Sequence, residues 1–252
     1  MRRQWIHVFL AALTILGGLA PLTPAESAGL LTGKTICLDP GHGGADPGAY
    51  YAPLDLSEAD INLDVAYRLA ALLQAAGARV VMTRTGDQGL TEAERAAFCN
   101  RAQANILVSV HTNSFTDPAP NGVLTFYGKR SAAEDRRLAQ ALHDAMAPVL
   151  QANAPSPATF IDYGVRRYGA GVLRRSAMPA ALLEPAFMSN PAEAALLATP
   201  ITTAPGSGVF TAGCQADSCR RGQIAQSAYR GILAYFTGIS KEARAIPTEP
   251  AT

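Results

Sequence analysis

Charge is scarce in this chain and almost cancels. Asp, Glu, Lys and Arg make up 16% of its residues, and 21 Lys plus Arg against 20 Asp plus Glu leave a formal net charge of +1. No block of like charges occurs, which argues against nucleic-acid binding driven by phosphate neutralisation and against polybasic attachment to a membrane. Beyond the N-terminal segment no apolar run is long enough to span a bilayer. There are four cysteines and none is paired as C-x-x-C, so a four-cysteine zinc site fits poorly. No Lys-Ser/Thr follows Gly41-His42-Gly43-Gly44, which removes a phosphate-binding loop. Ser109, Ser114 and Ser189 lack a nucleophile-elbow setting, which removes a serine hydrolase.

Apolar residues, by contrast, make up 48% of 252 residues, enough for one compact domain with a sizeable core. The first 28 residues read as an export signal. Arg2 and Arg3 precede a mostly apolar stretch from Trp5 to Ala20, and small residues follow, with cleavage expected near residue 25 or 28. An uncleaved anchor of the same length is the competing reading. The mature chain, without a stable membrane span, is then expected in the periplasm, at the cell wall or outside the cell. Export permits disulfides. Cys214 and Cys219 flank a short polar turn and could close a small loop, whereas Cys37 and Cys99 read as buried small hydrophobes.

Strand and helix signals alternate through 34–238. Residues 35–39 form an apolar strand. Ser57 can cap a helix whose apolar positions Ile61, Val65, Leu69 and Leu72 recur at helical spacing until Gly77. Strands are expected at 79–83, 106–110, 122–127, 171–174 and 180–184. Helices are expected at 91–104, 131–150 (ended or kinked by Pro148), 191–198 and 222–236. Residues 152–170 read as a loop, 199–220 as an irregular insertion and 239–252 as a frayed tail. This alternation predicts a single three-layer α/β domain, with a mostly parallel twisted sheet and helices on both faces.

Ligands of such sheets sit beyond the carboxyl ends of the strands. His42, His111 and Glu184 all fall there, and Glu58 opens the first helix. Two imidazoles and a carboxylate are the usual protein ligands of a hydrolytic zinc ion, and a further carboxylate beside them would complete a hydrolase. Each residue also has a plainer reading. His42 and His111 can be satisfied loop and strand-end histidines, and Glu58 can offset the helix dipole. Glu184, ending the run Ala180-Ala181-Leu182-Leu183, needs a partner if buried, and either a metal site or Arg174 or Arg175 would serve. Asp39 or Asp46 could hold a ligand imidazole by its other nitrogen, or stabilise the Pro/Gly turns. Asn113 could bind substrate or cap a turn. His143, within the long helix, reads as a surface residue.

Five stretches in order carry a resemblance. They are Ile36-Cys37-Leu38-Asp39-Pro40-Gly41-His42-Gly43-Gly44 with Asp46-Pro47-Gly48; Ser57-Glu58-Ala59-Asp60-Ile61-Asn62-Leu63; Val80-Val81-Met82-Thr83-Arg84; Ser109-Val110-His111-Thr112-Asn113-Ser114; and Met178-Pro179-Ala180-Ala181-Leu182-Leu183-Glu184-Pro185 with Ser189-Asn190. Together, from about Lys34 to Tyr235, they resemble the zinc-dependent N-acetylmuramoyl-L-alanine amidases of the Amidase_3 type, which cleave bacterial peptidoglycan. The resemblance implies a sheet of about six strands, one Zn2+ held by His42, Glu58 and His111, and Glu184 as the catalytic carboxylate. It also implies peptidoglycan or muropeptides as substrate and admits a regulatory protein partner. Asp39, Asn113 and Arg174 are candidates for substrate contact or support of the ligands. Tyr50-Tyr51 with Pro53, the loosely matching Val172-Leu173-Arg174 and the 199–220 insertion depart from the family pattern. A catalytically inactive wall-binding or regulatory module of the same fold is the alternative, and a zinc peptidase acting on other peptides would share the site.

Overall fold

In the computed structural model, which describes residues 29–128, 133–198 and 219–238, six strands form the main sheet. They are β1 (Thr35–Pro40), β4 (Arg79–Met82), β5 (Ile106–Val110), β6 (Gly122–Gly128), β7 (Ile161–Tyr168) and β8 (Ala180–Glu184). A small hairpin, β2 (Tyr50–Tyr51) and β3 (Leu56–Ser57), stands apart. The helices are α1 (Glu58–Ala75), α2 (Glu92–Arg101), α3 (Ala133–Ala152), α4 (Gly171–Arg175), α5 (Pro191–Leu197) and α6 (Arg220–Thr237). The sheet order is β4-β1-β5-β8-β6-β7. Every pairing is parallel except β6 with β8, so the last two strands run against the other four.

The central strands are apolar along their whole length because both faces are covered. Side chains alternate between the faces. Ile36, Leu38, Val108, Val110, Ala181 and Leu183 pack with Leu69 of α1, Leu142 of α3, Leu197 of α5 and Ile224 of α6. Cys37, Leu107, Ala180 and Leu182 pack with Ala96 and Cys99 of α2 and Val172 and Leu173 of α4. That is the expected three-layer arrangement. α6 is also pinned by two buried arginines. Arg220 pairs with Glu193, and Arg221 donates to Asp64 and to the Leu197 carbonyl.

Several local expectations are corrected. The stretch read as a loop contains the edge strand β7, whose exposed side chains and internal Gly164 hide the strand pattern. Residues 171–175, read as a strand, form the short helix α4. A run of five residues is too short for periodicity to separate the two. Pro148 lies inside α3, which continues to Ala152. His143 is buried, with its ring between Thr125 and Asp162. Cys37 and Cys99 are joined by a disulfide rather than being free hydrophobes. Cys219 is disulfide-bonded. Its expected partner Cys214, most of the 199–220 insertion, the export segment and the C-terminal tail lie outside the described residues.

Candidate metal centre at the carboxyl edge of the sheet

β1 and β5 are adjacent and parallel, with Pro40 opposite Val110. The residues that leave them therefore emerge side by side. His42 follows β1 through Gly41, whose amide donates to the Val110 carbonyl at 2.9 Å. A side chain at Gly41 would overlap the His111 ring, so only glycine lets the two histidines approach. His42 itself adopts φ 62°, a conformation that non-glycine residues rarely take. The two rings meet edge to face with centroids 4.9 Å apart.

Glu58 is brought to them by the start of α1. Ser57 caps this helix, accepting from the Asp60 amide and donating to the Asp60 carboxylate. The Ala49 carbonyl receives the Glu58 amide at 2.9 Å, which docks the helix start against the loop after His42. His42 Nε2 and His111 Nδ1 both lie 3.1 Å from Glu58 Oε1. That oxygen also accepts from the Thr112 amide at 3.1 Å and from Asn62 at 3.3 Å, while Oε2 accepts from the Ala49 amide. Burial pushes the Glu58 carboxyl up, but hydrogen bonds from His111 and His42 overcome it and hold the group well below the usual carboxylate range. One donor atom from each of His42, Glu58 and His111 fits within a 4.8 Å span.

The donor chemistry suits a borderline cation such as zinc. Asp46 Oδ2 lies 2.8 Å from His42 Nδ1. A carboxylate only accepts, so Asp46 keeps the proton on Nδ1, and Nε2, which donates to Glu58 here, is the nitrogen left to present a lone pair to a cation. Burial lowers the His42 pKa, and Glu58 and Asp46 together more than reverse that. In the metal-free chain, hydrogen bonds from the two rings to Glu58 hold the trio together, and a divalent cation would take their place.

Glu184 ends β8, and the preceding Leu183 carbonyl receives the His111 amide at 3.1 Å. The residue as a whole keeps some exposure, but its Oε2 is buried and has no hydrogen-bond partner. Burial, and secondarily the charge of Glu58, push its pKa well above the ordinary value. Neither Arg174 nor Arg175 satisfies that oxygen, and Arg174 lies exposed on α4.

The other candidates fall as follows. Asp39 lies beneath the site and contacts Thr83, Arg95 and Ser109 rather than an imidazole. Asn113 caps a turn, its Oδ1 accepting from the Ser114 amide, while its backbone bridges to the segment after β8. Two arginines that no sequence motif marks as site residues also reach the site: Arg95 donates to the His42 carbonyl at 2.7 Å and Arg84 to the Gly41 carbonyl at 2.9 Å. A buried arginine in a short loop or a helix is a signal of paired carbonyls, but its target is not visible along the chain.

An α/β sheet with a His-Glu-His cluster and an unpaired carboxylate past its strand ends defines a class of hydrolase-like α/β domains. Within that class the chain belongs to the Amidase_3 family, N-acetylmuramoyl-L-alanine amidase, whose profile matches residues 36–205. It is 33% identical over 222 residues to the germination-specific N-acetylmuramoyl-L-alanine amidase of Bacillus subtilis, covering 82% of this chain and 81% of that one. It is 36% identical over 168 residues to the amidase LytC of the same organism, covering 66% of this chain but 32% of that longer protein. Among solved structures, the N-acetylmuramoyl-L-alanine amidase of Clostridium difficile 630 aligns with a TM-score of 0.68 at 27% identity, over 82% of this chain and 98% of that one. The CwlD amidase of Clostridioides difficile, solved in complex with the GerS lipoprotein, aligns at 0.66 and 26% identity, over 82% of this chain and all of that one. The chain is an enzyme with N-acetylmuramoyl-L-alanine amidase activity.

Proposed function

We propose that the chain is a zinc-dependent hydrolase of the amide between the lactyl group of N-acetylmuramic acid and the L-alanine that begins the peptidoglycan stem peptide. The observation that carries this reading is the convergence of His42, Glu58 and His111 on one point, with Glu184 presenting a buried, unpartnered oxygen nearby. His42, Glu58 and His111 would hold the ion. When bound, zinc supplies Lewis acidity, polarising the scissile carbonyl and making water acidic near pH 7.

The chain's own residues supply the rest. Asp46 holds the His42 tautomer. Thr112 and Asn62 fix Glu58 Oε1 so that its orientation does not depend on the ligand. Glu184 takes the proton of the attacking water and returns it to the departing alanine nitrogen. Its burial and the charge of Glu58 both favour the protonated form between these two transfers.

Two finer assignments belong to the same reading. Residues 1–28 act as an export signal for a domain spanning 34–238, and the Cys37–Cys99 disulfide supports an oxidising destination. A protein partner is supported by the amidase neighbour solved with a lipoprotein.

The test is metal analysis of the purified protein with muropeptide cleavage before and after chelation. About one zinc per chain is expected, with new L-alanine amino termini that disappear on chelation and return when zinc is restored. Cleavage that persists with all metal removed overturns the metal assignment.

A further inference from the structure

The loop that carries His42 turns three consecutive carbonyls, those of Pro40, Gly41 and His42, away from the sheet ladder and toward two buried guanidinium groups. Arg95, on α2, donates from Nη1 to the Pro40 carbonyl at 2.6 Å and from Nη2 to the His42 carbonyl at 2.7 Å. Its Nη1 also meets Asp39 Oδ1 at 3.0 Å, and its Nε reaches the Leu90 carbonyl at 3.1 Å. Arg84, just past β4, donates from Nε to the Pro40 carbonyl at 2.9 Å and from Nη2 to the Gly41 carbonyl at 2.9 Å. The same Nη2 reaches the Ala59 carbonyl at 2.7 Å, next to Glu58. Both arginines are almost wholly buried. Asp39 is their shared counter-charge, oriented by Thr83 and Ser109.

Buried cations are costly unless fully partnered, and these two are partnered chiefly by backbone of the two segments that carry His42 and Glu58. A planar fork with five fixed donors can hold several carbonyls in one geometry, as an ammonium cannot. His42 sits at φ 62°, which is sustained only when its surroundings over-determine it. Arg95 bonds the carbonyl of that same residue. Gly43 has no room for a side chain between the Gln88 carbonyl and Arg84, so the loop is closed on both sides.

We propose that Arg84 and Arg95 are positioning residues that together set the ligand geometry of the metal centre. Arg95 fixes the strained His42 backbone, and Arg84 ties the His42 loop to the first turn of the helix that presents Glu58. This rests on the metal reading proposed above, in that the quantity the clamp tunes is metal affinity. Neither arginine touches the ligand side chains, so the effect passes through the backbone.

The test compares Arg84→Lys and Arg95→Lys with wild type and with Arg221→Lys, a buried arginine whose partners, Asp64 and the Leu197 carbonyl, are not site residues. Three quantities are read: zinc affinity by chelator competition, the visible spectrum of the cobalt-substituted protein, and amide exchange at Gly41 and Gly43 in metal-free protein. The two site variants are expected to lose at least tenfold in zinc affinity, to shift the cobalt bands and to exchange those amides faster. Arg221→Lys is expected to lower the unfolding midpoint while leaving all three unchanged. Wild-type affinity, spectrum and exchange in both site variants overturn the proposal, as does an equal loss of affinity in Arg221→Lys. If either lysine variant does not accumulate folded, Asp39→Asn, which keeps shape and removes the shared counter-charge, is expected to give the same three shifts, and their absence overturns the clamp. If wild type binds no zinc, the metal reading fails, and the exchange of Gly41 and Gly43 still decides whether the arginines hold the loop.

Discussion

An unpartnered carboxylate oxygen inside a protein costs on the order of 1–3 kcal/mol, and Glu184 Oε2 is in that position. Nothing in the packing of β8 requires a carboxylate there, so its cost points to chemistry. Glu184→Gln keeps the shape and removes the proton-accepting oxygen. We expect this variant to retain zinc and to lose roughly 100-fold or more in cleavage rate, the usual scale for a general base. Full hydrolysis by metal-loaded Glu184→Gln would remove Glu184 from the mechanism. The same substitution has a signature in metal-free protein. The folded pKa of Glu184 is raised above the ordinary value of 4.5, so its stabilising contribution is complete below that value and is lost as pH rises through the folded pKa. Metal-free Glu184→Gln should therefore gain stability over wild type from about pH 5 upward and show no gain at more acidic pH. Paired thermal melts across that range measure it, and a constant difference would contradict the raised pKa.

At the scale of elements, the site is an edge effect of parallel strands: neighbours in register deliver His42 and His111 together, and the cap at Ser57 delivers Glu58. The loop between them is packed to the limit. At Gly48, φ is 67°, and a Cβ would lie 2.7 Å from Glu58 Oε2 and 2.8 Å from His42 Cδ2. Gly48→Ala should therefore displace two of the proposed ligands, His42 and Glu58, at once, lowering zinc affinity together with the melting midpoint. Gly164→Ala, with φ 74° but open space on the edge strand, should cost about 1 kcal/mol of stability and leave metal binding intact. Equal metal affinity in the two variants would show that the loop has slack it is not observed to have. The strands that carry the histidines were legible because continuous apolar runs gave way at once to polar loops, Gly/Pro-rich after β1 and His111-Thr112-Asn113-Ser114 after β5. β7 and α4 were not. An exposed edge strand lacks alternation, and Val172-Leu173 is as apolar in a helix as in a strand. His143 was misread for a related reason: its partners Thr125 and Asp162 lie on two other elements, and only tertiary structure shows that the ring is satisfied inside.

For the molecule as a whole, the Cys37–Cys99 disulfide joins the central strand β1 to α2 across a sequence separation of 62 residues. Spacing that long carries no pairing signal, which is why both cysteines read as plain core residues. Closing a loop of that size removes denatured-state entropy worth about 4 kcal/mol, equivalent to roughly 10 °C in melting midpoint for a domain of this length. The bond also has a position that matters. Cys37 is two residues before Asp39, and Cys99 is one helical turn after Arg95, so the cross-link fixes α2 against the strand from which the His42 loop departs. Both sulfurs are sealed in the core, and a reductant reaches them only when the chain opens. Reversible denaturation with a dithiol present should therefore lower the unfolding midpoint by at least the loop-closure amount, since the Cys219 disulfide is reduced as well. Brief exposure of native protein to the same dithiol should leave zinc content unchanged. A midpoint insensitive to reductant under conditions that unfold the chain would mean that the two thiols are not joined. A Cys37→Ala, Cys99→Ala double variant should lose comparable stability and, because α2 then holds Arg95 less firmly, bind zinc more weakly than wild type at temperatures where both are folded.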